Sequence, residues 1–261
     1  MEKNRRGIQS VEIGSDLLLA LARNIRPMSL KNVATAADMS AGKAHPYMVT
    51  FMKVGFVTQT PAGHYELGPL ALQLGLTKLK QMVPVREASK PVEDLAKSTG
   101  KSIAVAVWGN LGPTIVRLEE PTQPLHVNLR TGTVMSLTST ATGRLFSAYM
   151  PPKVIERLIG IDSVDSAEGR SSAQSFDSGT FEATLAEIRK HSLSRARGNP
   201  IPGIDALCAP VFDPTGNIVL GILAMGTSAT FDSEWDGTVA KPLLACAAEI
   251  SRRISRPAAQ A

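Results

Sequence analysis

Three stretches of helical spacing open the chain. Apolar side chains recur every three or four positions over residues 11–23, 30–37 and 40–54, which predicts three amphipathic helices. A serine that can cap each helix stands at its start: Ser10, Ser29 and Ser40. Pro27 separates the first helix from the second, because proline cannot continue a helical hydrogen-bond ladder.

A strand-like pattern follows the third helix. Gly55 stands where a glycine commonly ends a helix, and residues 56–59 and 65–67 then predict two strands. Residues 60–63 supply the turn of a hairpin. Helix, helix, turn, helix and hairpin in this order predict a winged helix-turn-helix. In that class the last helix enters the major groove of DNA while the hairpin touches the backbone.

Residues 69–82 are rich in leucine and predict a helix with apolar side chains on two faces. In a single copy of the chain that surface would be exposed to water. We therefore expect a linker helix that also forms a dimer. Residues 1–68 before it are the predicted winged helix-turn-helix domain, and residues 83–261 are a second domain.

The second domain mixes both element types. Helices are predicted over residues 85–99, 139–150, 181–191 and 241–254. Strands are predicted over residues 102–108, 113–118, 125–129, 134–137, 206–212 and 218–225. Strands in adjacent hairpins with helices at both ends predict an α+β fold with an antiparallel sheet flanked by helices. Residues 160–179, rich in Ser, Asp and Gly, predict a mobile loop.

Composition excludes several classes of protein. The chain is 43% hydrophobic and 20% charged, and no apolar run is long enough to cross a membrane, so we expect a soluble cytoplasmic protein. Its two cysteines, Cys208 and Cys246, have apolar neighbours and no metal-ligand spacing. No metal or cofactor is therefore predicted. Phosphate-loop, nucleophile-elbow and zinc-protease motifs are missing, so we predict no enzyme and no catalytic residues.

Charge is concentrated in the first third of the chain. Residues 1–80 hold ten of the 28 basic and five of the 23 acidic residues, so the whole net charge of +5 lies there. A basic module joined to a neutral one is what a polyanion-binding protein needs. The predicted DNA contacts are on the third helix and near it: Ser40, Ala41, Gly42, Lys43, His45, Lys31, Arg5 and Arg6. Pro46 within the third helix should kink it.

Several segments resemble the IclR family of regulators, which join a winged helix-turn-helix to a GAF-like effector domain. The matching segments are residues 7–12, 43–45, 55–57, 63–68, 137–144, 202–204 and 209–213. The resemblance covers nearly the whole chain and implies a sequence-specific DNA-binding transcriptional regulator. Members usually have Arg where this chain has Pro46, so the operator of a better-known relative cannot be assumed.

A second candidate site lies at the predicted helix over residues 139–150. The backbone amides of Thr140, Ala141 and Thr142 would be unpaired there, and together with the helix dipole they favour an anion. An ordinary capped helix is the open alternative. The resemblance places the effector pocket at this helix start and on the facing strands, lined by Val127, Met135, Thr140, Ala141, Thr142, Ala196, Ile204, Ala206, Leu223 and Met225.

The lining residues suggest the chemistry of the effector. Ala196, Ala206, Leu223 and Met225 are apolar, so we expect a carboxylate with an aromatic or otherwise apolar body. Arg144, Arg195 and Arg197 could add charge or could be solvated surface residues. A filled apolar core that binds no ligand is an open alternative.

The expected partners are a double-stranded DNA operator, a small carboxylate and further copies of the chain, as a dimer or a dimer of dimers. Effector binding would change how the DNA-binding domains are placed through the linker helix. The alternative function is a ligand-sensing or scaffold module whose basic head binds RNA or another polyanion. Exposed aromatic residues for base stacking are scarce in residues 1–80, which argues against RNA.

Overall fold

A computed structural model describes residues 7–24, 26–120, 127, 129–166 and 178–255. The chain divides into two compact units, Met1–Met82 and Val83–Ala261. The first unit holds three helices and a hairpin followed by a fourth helix, and the second holds a five-stranded sheet with helices. Among the described residues, no helix has the length and apolar content to cross a membrane.

The predicted helices of the first unit are confirmed, with shifted ends. They are α1 (Gln9–Arg23), α2 (Leu30–Ala36) and α3 (Ala41–Val54). Ser29 Oγ accepts a hydrogen bond from the Asn32 amide, as expected of an N-cap. The prediction that Ser10 caps the first helix is wrong, because the Ile8 carbonyl already accepts from the amides of Val11 and Glu12 and the helix begins earlier.

The predicted hairpin is also confirmed. Strands β1 (Val57–Gln59) and β2 (Tyr65–Leu67) pair antiparallel. Met28, just before α2, exchanges two backbone hydrogen bonds with Tyr65 and ties the hairpin to the helices. Leu17 and Met48 are fully buried in the core that these elements share.

Helix α4 (Pro69–Gln81) begins against this unit and then loses contact with its core. The Leu70 amide donates to the Gly55 carbonyl at 3.0 Å, which fixes the first turn. No residue of α4 is buried, and Leu72, Leu74 and Leu76 are each at least half exposed. The prediction of a helix that leaves apolar side chains uncovered in one copy of the chain is therefore confirmed.

The second unit is built on one antiparallel sheet with the order β4-β3-β7-β6-β5. Its strands are β3 (Ser102–Gly109), β4 (Gly112–Glu119), β5 (Ser194–Arg197), β6 (Ile204–Phe212) and β7 (Ile218–Thr227). Each neighbouring pair is antiparallel, and residues 213–217 form the tight turn between β6 and β7. The predicted α+β architecture is confirmed.

Helices cover both faces of the sheet. They are α5 (Val83–Thr99), α6 (Ala141–Tyr149), α7 (Pro152–Ser166), α8 (Ser178–His191) and α9 (Ala240–Ile254). Helices α5 and α9 pack on each other and on one face, whereas α6 packs on the other face together with α8. Because side chains alternate along a strand, Cys208 and Leu223 face α6 while Leu207 and Ala224 face away from it.

Two predictions for this unit need correction, and a third falls mostly outside the described residues. Residues 134–137 are not a strand, because only Val134 forms a bridge, to Thr114 of β4, before the chain turns towards α6. The predicted loop over residues 160–179 is wrong for its first part, where α7 continues to Ser166, and for its last residues, where α8 begins at Ser178; residues 167–177 lie outside the described residues. Most of the predicted strand over residues 125–129 also lies outside them.

Candidate functional site

The first candidate site is the outward face of α3. Ser40 Oγ accepts a hydrogen bond of 3.3 Å from the Lys43 amide and so defines the start of the helix. Ser40, Gly42, Lys43 and His45 are exposed, whereas Ala41 is half-buried against the core. The first turn is therefore open, with small side chains and one cation, as a helix that approaches DNA closely requires.

Of the other predicted DNA contacts, only Lys31 lies within the described residues. Lys31 is exposed near the start of α2. Arg5 and Arg6 lie outside the described residues. Pro46 is exposed within α3, which continues as one helix to Val54, and the Thr50 hydroxyl donates to the Pro46 carbonyl at 2.9 Å.

The second candidate site lies where α6 faces strands β5, β6 and β7. Register pairs place Ala196 opposite Ala206, and Ala206 opposite Met225, in one row across the three strands. A second row across the same strands consists of Ser194, Cys208 and Leu223. The apolar residues predicted from the resemblance all belong to one cluster of packed side chains: Val127, Met135, Ala141, Ala196, Ile204, Ala206, Leu223 and Met225.

The start of α6 keeps two of its three expected free amides. The Thr140 amide donates to the Ser136 carbonyl at 3.4 Å, so the prediction that it is unpaired is wrong. Thr140 Oγ1 caps the helix by accepting from the Gly143 amide at 2.9 Å. The amides of Ala141 and Thr142 find no acceptor in the described part of the chain.

Two buried hydroxyls point to the same region. Thr142 and Ser194 are fully buried, and neither Oγ atom has a hydrogen-bond partner of ordinary geometry among the described residues. Between them lies Cys208, the register partner of Ser194. Burial raises the pKa of the Cys208 thiol to about 12, and an interaction with the Thr142 hydroxyl lowers the pKa by a smaller amount. Cys208 is therefore a neutral thiol near neutral pH.

Arg144, one of the three arginines that could add charge to this site, has an environment that the sequence did not predict. Its guanidinium donates to the carbonyls of Thr138, Ser139 and Arg195, and its buried Nε finds no partner in the part of the chain that the structure describes. No carboxylate pairs with it among the residues that the structure describes. Burial lowers the pKa of Arg144. Arg144 is consequently a partly buried cation without an anion, and not a solvated surface arginine.

The other two arginines point away from the site. Arg195 stacks on the Trp235 ring at 4.2 Å and lies 3.7 Å from Glu234. Arg197 donates to the same Glu234 carboxylate at 2.7 Å. Because Ala196 faces α6, its neighbours in β5 face the opposite side of the sheet. Their charge is thus engaged elsewhere.

Comparisons with known proteins agree over both units. A family model described as Bacterial transcriptional regulator IclR C-terminal matches residues 77–252, and the IclR helix-turn-helix domain matches residues 10–61. The glycerol operon regulatory protein of Streptomyces griseus is 31% identical, over 95% of this chain and 96% of its own. The crystal structure of Pseudomonas aeruginosa HmgR is 31% identical with a TM-score of 0.61, over 97% of this chain and all of the other.

A more distant structure shares the fold. It is an IclR homologue from Microbacterium hydrocarbonoxydans complexed with 4-hydroxybenzoate, 14% identical with a TM-score of 0.72, and the match covers 94% of this chain and 98% of that one. Family models, relatives and fold thus point to one group of proteins. The chain belongs to the IclR family of bacterial transcriptional regulators, which bind DNA and are not enzymes.

Proposed function

We propose that this regulator binds a small carboxylate with an aromatic or otherwise apolar body between α6 and strands β5–β7, and that the bound effector changes its affinity for an operator. One observation carries the proposal: Thr142 Oγ1 and Ser194 Oγ are buried, and neither makes a hydrogen bond of ordinary geometry with the residues that the structure describes. A buried polar group without a partner is costly. A ligand that hydrogen-bonds both hydroxyls would remove that cost.

The charge of the site favours an anion. The free amides of Ala141 and Thr142 carry the positive end of the α6 dipole. Arg144 adds a partly buried cation for which the described residues supply no counter-ion. An isolated charge in such a place is unfavourable, and a bound carboxylate would compensate it.

The opposite wall suits an apolar body. Ala196, Ala206, Leu223 and Met225 present only apolar atoms towards α6. Binding pockets are commonly apolar with a few placed polar groups, and this arrangement has both parts. The 4-hydroxybenzoate in the related structure is a ligand of this chemical class.

For DNA, we propose that α3 is the recognition helix and that the residues on its first turn contact an operator in the major groove. The open first turn and the basic first unit support this role. We further propose that two copies of the chain associate through the uncovered leucines of α4, which gives a dimer or a dimer of dimers in the cytoplasm.

A thermal-shift screen tests the effector proposal. A panel of aromatic and aliphatic carboxylates is added to the purified full chain, and a ligand that binds the folded state raises the melting temperature. We expect aromatic carboxylates to give the largest shifts. Absence of any shift across the panel would contradict the proposal and favour a filled core.

Substitutions locate the bound ligand. Thr142→Val removes a hydroxyl that makes no hydrogen bond of ordinary geometry with the described residues, so the fold should be kept while calorimetric affinity for the best carboxylate falls about fivefold to tenfold. Leu223→Ser should also lower affinity, because it removes apolar contact. Ser147→Ala is the matched control: Ser147 is buried on α6 but bonds the Leu137 carbonyl. Equal affinities for all three variants would refute this placement.

A further inference from the structure

Helix α3 carries an exposed stripe that its packing does not explain. Gly42, Pro46, Val49 and Lys53 follow one another at positions i, i+4, i+7 and i+11, and all are exposed. The opposite side of the helix packs inward through Ala44 and Met48, both fully buried. Neither Pro46 nor Val49 joins the hydrophobic core of this unit, and Val49 is 45% exposed.

The surroundings of this apolar pair are basic. Lys43 and Lys53 are exposed on α3 itself, and Lys31 is exposed on the neighbouring α2. The net charge of +5 also falls within residues 1–80. A surface of this charge complements a polyanion, and its lysines can hold phosphates on either side of the stripe.

Pro46 and Val49 offer base edges nothing but hydrocarbon. Proline has no backbone N–H, and valine has only alkyl groups in its side chain. In the major groove, the one apolar feature of a base edge is the 5-methyl group of thymine. The kind of DNA that fits this pair is therefore a duplex with thymines at the contacted positions.

We propose that Pro46 and Val49 are specificity-determining residues that select thymine in the operator by packing against its 5-methyl group. The proposal rests on the proposed role of α3 as the recognition helix. Three residues along a helix span about 4.5 Å, close to the spacing of neighbouring base pairs. The two side chains therefore contact thymines at neighbouring positions of each half-site, the part of the operator that one copy of the proposed dimer binds.

The experiment begins with a duplex selected from a random library by the full-length protein. Each thymidine of that duplex is then replaced singly by deoxyuridine, which removes only the methyl group. We expect an affinity loss of about threefold to tenfold at one or two neighbouring positions of each half-site, and no loss elsewhere.

Variants assign each methyl group to a side chain. Val49→Ala and Pro46→Ala lie on the exposed side of α3, and a thermal melt checks that both fold. Each should bind the thymidine duplex more weakly and no longer distinguish deoxyuridine at its own position. Lys53→Gln is the control, and it should weaken binding to both duplexes equally because a phosphate contact does not read the base.

Two failures are distinguishable. If the selected duplex binds tightly and deoxyuridine has no effect, or its effect persists in both alanine variants, the methyl contact is refuted while DNA recognition by α3 stands. If selection returns no preferred sequence, both this inference and the proposed role of α3 are overturned.

Discussion

Arg144 on α6 donates a hydrogen bond of 2.7 Å from Nη2 to the carbonyl of Arg195 on β5. The same guanidinium also donates to the carbonyls of Thr138 and Ser139 just before α6. One side chain therefore fastens the start of α6 to the edge of the sheet. These hydrogen bonds stabilise the segment that supplies the proposed effector contacts.

Replacing Arg144 should loosen this junction. Arg144→Met keeps most of the side-chain length but leaves three carbonyls without their donor, so we expect the free energy of unfolding to fall by about 1–3 kcal/mol. Urea unfolding followed by tryptophan fluorescence measures this loss, because Trp108 and Trp235 both lie in the second unit. Arg86→Met is the control: Arg86 is exposed and has one ion pair of 3.5 Å, so a change of less than about 0.5 kcal/mol is expected.

The first turn of α6 also depends on a close backbone approach at Gly143. A Cβ atom there would stand 1.9 Å from the Ser136 carbonyl oxygen and 2.6 Å from the Leu137 Cα. Because backbone has to move, Gly143→Ala should destabilise the second unit by roughly 3 kcal/mol and reduce the thermal shift with carboxylates. Gly221→Ala meets only side chains, at 3.1–3.4 Å, so about 1 kcal/mol is expected. Equal losses for the two variants would show that the α6 start can relax freely.

The buried thiols predict a loss of stability in alkaline solution. Burial raises the pKa of Cys208 to about 12 and that of Cys246 to about 11, from an ordinary value of 9.0. The folded state thus favours the neutral thiols. Their contribution is full below pH 9 and is lost as pH rises towards 11 and 12, because the unfolded thiols ionise first.

The size of the alkaline effect follows from the same values. Between pH 9 and pH 11, each thiol should lower the free energy of unfolding by up to about 1.4 kcal/mol per pH unit. Urea titrations at pH 8 and pH 10 measure the change. Cys208→Ala and Cys246→Ala should each reduce the difference in unfolding free energy between pH 8 and pH 10. This expectation does not depend on how each variant changes the stability at pH 8. An unchanged pH dependence in both variants would contradict the burial of these thiols.

The sequence predicted the elements of the proposed effector site better than it predicted how they meet. The pattern over residues 139–150 located α6, and the hairpin of β6 and β7 followed from its turn residues. Strand β5 was missed because Ser194–Arg197 contains no β-branched or aromatic residue. Without β5, no spacing could reveal that Ser194 pairs with Cys208.

Arg144 illustrates a second limit of the sequence. The sequence shows that residue 144 is an arginine, but it does not show the partners of the side chain. These partners are backbone carbonyls, one of them 51 positions away in the chain. A backbone carbonyl exists at every residue, so nothing in the sequence distinguishes the carbonyl that an arginine will reach. Burial of a charge by such contacts is set by tertiary packing, and only the folded unit reveals it.

Helix α4 provides the test of self-association. Leu72, Leu76 and Leu79 follow one another at i, i+4 and i+7, and Leu72 is 64% exposed. Covering such a stripe with that of a second copy removes apolar surface from water, so light scattering should give the wild-type chain about twice its 27.7 kDa, or a higher multiple.

Positive charges introduced into this leucine stripe of α4 should prevent two copies of the chain from associating. The double variant Leu72→Lys/Leu76→Lys places two ammonium groups in the contact, and we expect it to be a monomer at micromolar concentration with its thermal melt preserved. Gln73→Lys/Thr77→Lys adds the same charge to the neighbouring exposed face and should leave the mass unchanged. A monomeric wild-type chain, or two variants with the same mass, would show that this stripe does not hold the copies together.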